Sequence, residues 1–407
     1  MDIIVQKFGG TSVTTNERRE KVANKVICTK KEGKYPVVVV SAIGRSGDPY
    51  ATDTLINFAN SIYKEYESRE LDMIMACGEI ISSVILANTI KSMGYMAVAL
   101  TGYQAGIITD NNYGDAEVLK VDTTNIINFL KKGYIPVITG FQGATENKDI
   151  TTLGRGGSDT TAAILGEALN ASVVEIYTDV DGVMTADPRL VSEAKVIDSI
   201  SYDEIYQMAE DGAKVIHPRA VAIAKRGNIP LKVKNTLSDG PGTIIHNKEL
   251  YNDRYSKNIS KDDILTAIAH KNNIAQVNVY FEDSIEANEL LMNALTKNNI
   301  SIDLINFFTD KKVFTIDKKN IEKIEKILEE HNFKYKIVND CSKITVIGHK
   351  MRGIPGVMAK IVKALSKQGI KILQTSDSHN TISCLVKDAD TKNAVIALHK
   401  EFNLSKK

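Results

Sequence analysis

The chain has 407 residues, 43% hydrophobic and 25% charged, with a formal net charge of +1. That length allows two or three domains around a large buried core, and the near-neutral balance excludes a bulk field suited to nucleic acid or an anionic membrane. Cys28, Cys77, Cys341 and Cys384 are scattered, with no C-x-x-C pair, which argues against a zinc site or disulfide framework and for a reducing compartment. The N-terminal stretch Met1-Asp2-Ile3-Ile4-Val5 is strand-like without a basic flank, and no apolar run approaches about 20 residues. The expectation is a soluble, cytoplasmic protein that works on small molecules.

From Ile3 to about Ile245, strand-like runs alternate with helical ones, the pattern of an α/β domain around a mostly parallel sheet. The clearest predicted strands are 3–8, 37–41, 96–101, 135–140, 173–178 and 229–233. Thr14 and Glu17 have capping-box spacing ahead of Val22, Ala23, Val26 and Ile27, with Gly33 as the stop. Residues 79–93 and 202–208 read as further helices. The strand ends are rich in glycine and polar residues: Gly9-Gly10, Ser41-Ala42, Thr101-Gly102, Gly140-Phe141-Gln142-Gly143 and Thr178-Asp179. Ligands bind beyond the carboxyl ends of strands in open α/β sheets. Each end alone reads as an ordinary loop start; together they suggest one shared crevice.

The densest signal is Thr151-Thr152-Leu153-Gly154-Arg155-Gly156-Gly157-Ser158-Asp159-Thr160-Thr161, a glycine loop running into a helix start. Such a loop can simply cap its helix, or its bare N–H groups can bind an anion. Arg155 and Asp159 favour a site, because neither charge helps a simple turn. Neither standard nucleotide fingerprint fits. No G-x-x-x-x-G-K-[ST] occurs, and Gly154-Arg155-Gly156-Gly157 lacks the last glycine of G-x-G-x-x-G. If phosphates bind, two nests (Gly9-Gly10 and Gly156-Gly157) would hold them, with lysines reaching in from elsewhere. Lys7 and Lys214 are the candidates, although a lone lysine beyond a strand is as readily just solvated.

Residues 1–245 thus form one domain, 246–263 a polar linker, and 264–340 and 341–407 a pair of modules between which strands could be exchanged. The pair rests on an internal repeat at an offset of 70 residues, in which Ala294-Leu295-Thr296-Lys297-Asn298-Asn299-Ile300 matches Ala364-Leu365-Ser366-Lys367-Gln368-Gly369-Ile370. Strand, helix and strand are predicted at 276–281, 287–297 and 300–306, against 344–347, 357–367 and 370–375.

Lys7-Phe8-Gly9-Gly10-Thr11-Ser12, Thr152 to Asp159, and Thr178-Asp179-Val180-Asp181-Gly182-Val183-Met184-Thr185-Ala186-Asp187-Pro188-Arg189 together resemble the aspartokinases, and the doubled C-terminal module resembles their ACT domains. The likeness covers essentially the whole chain and is closest to the monofunctional, lysine-pathway type, including the diaminopimelate-sensitive form. It implies an amino-acid-kinase-type α/β sandwich followed by two ferredoxin-like α+β modules. It also implies phosphorylation of the L-aspartate side chain by ATP, with Mg²⁺ carried on the nucleotide phosphates and no protein metal ligand assigned. A carboxylate with a pKa of about 4 is already ionised at neutral pH, so positioning and charge neutralisation carry the burden.

By that resemblance Lys7 stabilises the transferring phosphoryl group and Asp159 holds Lys7 in place. Phe8, Gly9 and Gly10 adjoin the phosphates, with the two glycines donating N–H bonds. Arg155, with Gly156, Gly157 and Ser158, takes aspartate, the guanidinium gripping its α-carboxylate. Glu79, read as opening a helix, pairs with the ammonium, and Ser41 and Thr52 make further aspartate contacts. Thr178 and Asp179 meet adenine and ribose, with Met184 (where many relatives have Tyr), Arg189 and Lys214 completing the pocket. Ser284, Ile302 and Asp303 match effector contacts, with Leu373 at the equivalent of Asp303 in the second copy. The loops 353–357 and 376–380 resemble the pair at the ACT interface. The effector implied is lysine or diaminopimelate, with threonine possible, and homo-oligomers through the ACT modules are implied too. Rival readings are a kinase of glutamate, acetylglutamate or a nucleoside monophosphate, an inactive amino-acid sensor, and a nicotinamide dehydrogenase.

Overall fold

The computed structural model describes residues 1–65, 67–213, 215–247, 265–281, 285–348, 351 and 355–406. The chain divides into two compact units, one of residues 1–183, 196–209 and 214–256, the other of 184–195, 210–213 and 257–407. The 246–263 linker falls almost wholly outside the described residues.

In the first unit the elements run β1 (Ile3–Phe8), α1 (Asn16–Lys31), β2 (Tyr35–Val40), α2 (Thr52–Ile62), α3 (Ser68–Ser92), β3 (Ala97–Leu100), β4 (Ile107–Thr109), β5 (Val118–Val121) and α4 (Thr124–Lys131). They continue with β6 (Ile135–Thr139), β7 (Gln142–Ala144), β8 (Ile150–Thr152), α5 (Gly157–Ala168), β9 (Val173–Thr178), β10 (Ser199–Ser201), α6 (Tyr202–Glu210), α7 (Pro218–Gly227), β11 (Leu231–Asn235) and β12 (Thr243–His246). Eight strands form one sheet in the order β10-β12-β11-β9-β1-β2-β6-β3. All its pairings are parallel except β11 with β12. Val37, Val38, Val39 and Val40 are all fully buried, as expected of a parallel strand covered on both faces. Phe8, Val38, Val40 and Val137 pack with Val22, Val26, Leu86 and Ile90 of α1 and α3. A smaller sheet, β5-β4-β7-β8, lies beside it.

Three details differ from the sequence reading. The side-chain cap of α1 is Thr15, whose hydroxyl accepts the Arg18 N–H at 3.3 Å, one residue past the capping-box Thr14. Strand β11 begins two residues later than the expected 229–233. Most consequentially, α3 starts at Ser68 and not at 79. This helix has 25 residues and an 18-residue stretch of mean hydropathy 1.7, more apolar length than the sequence reading allowed. It is a core helix: half of that stretch is buried and it packs on β3, β6 and β8.

The second unit holds β13 (Leu265–Tyr280), α8 (Ile285–Lys297), β14 (Asp303–Phe307), β15 (Lys311–Asp317), α9 (Ile321–Glu330), β16 (Lys334–Gly348), α10 (Val357–Lys367), β17 (Gln374–Asp377), β18 (Thr381–Lys387) and α11 (Thr391–Glu401). The repeat is visible in the starts: β15 and β18 begin at 311 and 381, α9 and α11 at 321 and 391, each pair 70 apart. One sheet, β14-β15-β13-β16-β18-β17, joins the copies. The two long antiparallel strands β13 and β16 run through both halves, with register shifts between Lys271 and Gln276. Leu265 and Ile268, at the start of β13, pack with α10 and α11, whereas Ala275, Val277 and Val279 at its end pack with α8 and α9.

Candidate active site

Strands β1, β2, β6 and β9 are parallel neighbours, so their carboxyl ends open on one edge, where the glycine loop enters α5. A cavity of about 260 Å³ there is lined by Lys7, Ser41, Thr52, Glu79, Phe141, Gly154, Arg155, Gly156, Gly157, Ser158 and Asp159. Residues from six separate stretches of chain thus meet at one point.

Lys7 Nζ lies 2.7 Å from Asp159 Oδ1, and both side chains are nearly buried. Asp159 Oδ2 also faces the His217 backbone N–H at 3.4 Å. Asp159 stands in the first turn of α5, where amides lack intrahelical partners and the dipole favours negative charge. The amide of Gly157 is already taken by the Gly154 carbonyl at 3.1 Å. Removing the Lys7 ammonium would leave Asp159 facing that amide end alone. A phosphoryl oxygen entering between Lys7 and the α5 terminus would meet both a cation and free N–H groups.

Glu79 lies in the middle of α3, not at its opening, and is 3% exposed. Its Oε1 accepts the Ala42 N–H at 3.0 Å, while Oε2 is buried with no partner. Burial outweighs that hydrogen bond and raises the carboxyl pKa to about 8. A cation brought to Oε2 would satisfy it and restore the ionised form. Arg155 lines the same cavity and is exposed. The pocket therefore offers one anchor for an ammonium and one for a carboxylate, with the Lys7–Asp159 pair on the same lining.

Several expected contacts take a different form. The Phe8 ring is fully buried and stacks on Tyr177 with centroids 4.6 Å apart, so only its backbone is available to a ligand. The Gly9 N–H is not free for phosphate, because it donates to the Tyr177 carbonyl at 3.2 Å. Gly10 opens a 3-10 turn, Gly10–Val13, and its carbonyl accepts the Gly44 N–H at 3.2 Å. The Thr178 carbonyl accepts from Thr236, and Asp179 is paired with Arg45 at 2.7 Å. Met184 and Arg189 belong to the second unit, where Arg189 pairs with Asp187 at 2.6 Å. Lys214 and Ser284 lie outside the described residues, as do residues 353 and 354 of the 353–357 loop. Ile302 packs beside the α8–α9 core. Asp303 is engaged by the Lys343 ammonium, which also lies 2.6 Å from Asp211.

Sequence reasoning missed Phe141 and His217. Phe141 adopts a left-handed φ of 70°, strained for an aromatic residue and held by bonds from its N–H to Thr161 Oγ1 (3.0 Å) and from the Leu153 N–H to its carbonyl (2.9 Å). Nothing in its neighbours' pattern signals this. Among the described residues, no group of three or more His, Cys, Asp or Glu could hold a metal ion.

The model of the amino acid kinase family matches residues 2–235, and that of the ACT domain matches 336–400. Aspartokinase 1 of Bacillus subtilis is 40% identical over 410 residues, spanning 100% of both chains. The chain belongs to the aspartokinase family. It is a kinase of aspartate with a C-terminal ACT domain. Aspartokinase of Mycolicibacterium smegmatis is 39% identical over 99% of this chain and 97% of its own. The E. coli aspartokinase III structure in complex with lysine and aspartate (T-state) superposes with a TM-score of 0.74 at 25% identity, over 99% of this chain and 100% of that one. These aspartokinases match across both units, so the C-terminal repeat is as much part of the family as the pocket.

Proposed function

We propose that the chain transfers the γ-phosphoryl group of ATP to the side-chain carboxylate of L-aspartate, giving 4-phospho-L-aspartate and ADP, as the cytoplasmic first step towards the aspartate-derived amino acids. Arg155 takes the α-carboxylate and Glu79 the ammonium. Ser41 and Thr52 line the same cavity and bound the substrate. An aspartate so held presents its side chain towards Lys7 and the amino end of α5. A carboxylate oxygen attacks the γ-phosphorus and the bond to the ADP oxygen breaks. No proton moves, because the nucleophile is already ionised. The difficulty is bringing an anion against a polyanion, and Lys7, with the α5 amides, lowers it by neutralising charge as it develops. Asp159 keeps the Lys7 ammonium aimed at the transferring group. Mg²⁺ enters as part of the MgATP substrate. Thr178, Asp179 and Lys214 complete the nucleotide contacts in this reading.

The observation that carries the proposal is one cavity lined by a carboxylate with an unpartnered oxygen, a guanidinium and a paired lysine. A coupled ADP assay with aspartate, run against glutamate, acetylglutamate and a nucleoside monophosphate, tests it, with hydroxylamine trapping the acyl phosphate. Aspartate alone should support turnover; no ADP with aspartate and Mg²⁺ overturns the reading.

For control, we propose an amino-acid effector at Ser284, Ile302 and Asp303, either lysine or diaminopimelate, with threonine as a further candidate, in a homo-oligomer formed through the ACT modules. The E. coli relative's complex with lysine supports the class of ligand. Initial rates with lysine, diaminopimelate, threonine and methionine identify it, and insensitivity to all four removes the proposal.

A further inference from the structure

Arg155 lines the pocket without a polar partner of its own: among the described residues no hydrogen bond or ion pair engages its guanidinium. It lines two spaces, the 260 Å³ pocket and a second cavity of about 800 Å³ that also borders Asp115, His217 and Arg219. Its backbone is flanked by two left-handed glycines, Gly154 (φ 70°) and Gly156 (φ 69°). The loop's own chemistry therefore does little to decide which space Arg155 enters.

The decision comes from neighbours that occupy the places where glycine side chains would stand. A Cβ on Gly154 would fall 2.5 Å from Asp115 Oδ1, and one on Gly156 would fall 2.2 Å from the His217 ring. Arg219 links these supports. It donates to the Leu153 carbonyl at 3.0 Å and to the Ala116 carbonyl at 3.2 Å, and pairs with Asp115 at 3.4 Å. Leu153 is the residue directly before Gly154. His217 is the N-cap of α7, its Nδ1 accepting the Arg219 N–H at 3.3 Å.

We propose that His217 and Arg219 are positioning residues for the phosphoryl transfer. The first turn of α7 is a platform that clamps the loop on both sides of Arg155, so that the guanidinium faces the aspartate pocket. This rests on the assignment of Arg155 to the substrate α-carboxylate.

Steady-state kinetics on the full chain test it. Misplacing a binding group by about 1 Å costs up to roughly 100-fold, so Arg219→Ala should raise the KM for aspartate roughly 10- to 100-fold and leave that for ATP within about twofold. Arg219→Lys should not restore it, because a point charge cannot span two carbonyls and a carboxylate. His217→Asn keeps a capping acceptor but removes the ring, and should raise the aspartate KM with the melting temperature unchanged. Should Arg219→Ala fail to fold, Asp115→Asn, which breaks the same ion pair, must show the same split. Equal rises in both KM values, or no rise in folded variants, overturn the inference. A wild-type chain that makes no ADP from aspartate sinks the parent reading. If Arg155→Ala splits the KM values and Arg219→Ala does not, this inference fails alone.

Discussion

At Glu79 the chain buries a carboxyl group with one oxygen on the Ala42 N–H and the other unpartnered. Its pKa of about 8, raised by burial, has two consequences of opposite kind. Between the ordinary carboxyl range and about 8 the folded state holds a proton that the unfolded state has lost. Glu79 therefore contributes less to stability as pH rises through that window. In the proposed role binding runs the other way, because an ammonium brought to Glu79 needs the ionised form. The kcat/KM for aspartate should climb as pH rises through about 8, and Glu79→Gln should flatten that limb while lowering the plateau. A limb that survives the substitution would assign the titration to another group. Arg155 makes a parallel prediction. Charge-assisted contacts contribute about 1.5–3 kcal/mol, so Arg155→Ala should weaken aspartate binding roughly 10- to 100-fold. ATP binding should change far less, and equal losses would remove the assigned role.

Helix α3 shows what a pattern of residues leaves hidden. Gly78 looks like a stop, and the sequence reading began a helix just after it. In the fold a Cβ there would fall 2.7 Å from the Ala42 Cβ, so this glycine is a contact point inside the helix. Gly78→Ala should push α3 away from the end of β2, destabilising the fold by about 1–3 kcal/mol and carrying Glu79 out of register. A melting curve and the aspartate KM should move together, and an unmoved KM would show that the helix yields elsewhere. The central parallel strands were legible because each is an apolar run bounded by turn residues. Strands β4, β5, β7 and β8, three or four residues each, are too short to show a period. Lys7 and Ser41 stand at strand ends and Arg155 and Asp159 in the glycine loop, where the sequence marks them, whereas Glu79 enters only through the family resemblance and is misplaced at the opening of a helix. Phe141 and His217 were not legible, because their roles come from a left-handed backbone and from packing against a glycine, which side-chain identity does not announce.

In the second unit a single buried lysine holds distant parts of the chain together. Lys343 on β16 meets Asp303 at the start of β14 and Asp211 in the 210–213 segment. Burial raises the Asp303 pKa, but the Lys343 hydrogen bond and charge more than offset this and hold it below the usual range. The contribution of that pair is complete above the unfolded carboxyl pKa, near pH 4, and is lost as pH falls through the lower folded value. Lys343→Met would strand Asp211, which is nearly buried, and should destabilise this unit by about 3 kcal/mol, read as an earlier denaturant midpoint. Asp303→Ala should blunt inhibition by the effector while leaving uninhibited turnover near normal. Unchanged inhibition would remove Asp303 from the effector site.

The route of the backbone has a practical result. It leaves the first unit after Val183, returns at Val196, leaves for Glu210–Ala213, and departs finally beyond residue 247. Ala186, Leu190, Val191 and Ala194 belong to the apolar cluster built around Ile268, Ile344 and Leu398. A shortened product ending at residue 247 would carry these side chains bare into water. Such a fragment should elute as aggregates on size exclusion unless those four positions are first made polar, so the kinase half cannot be obtained by trimming alone.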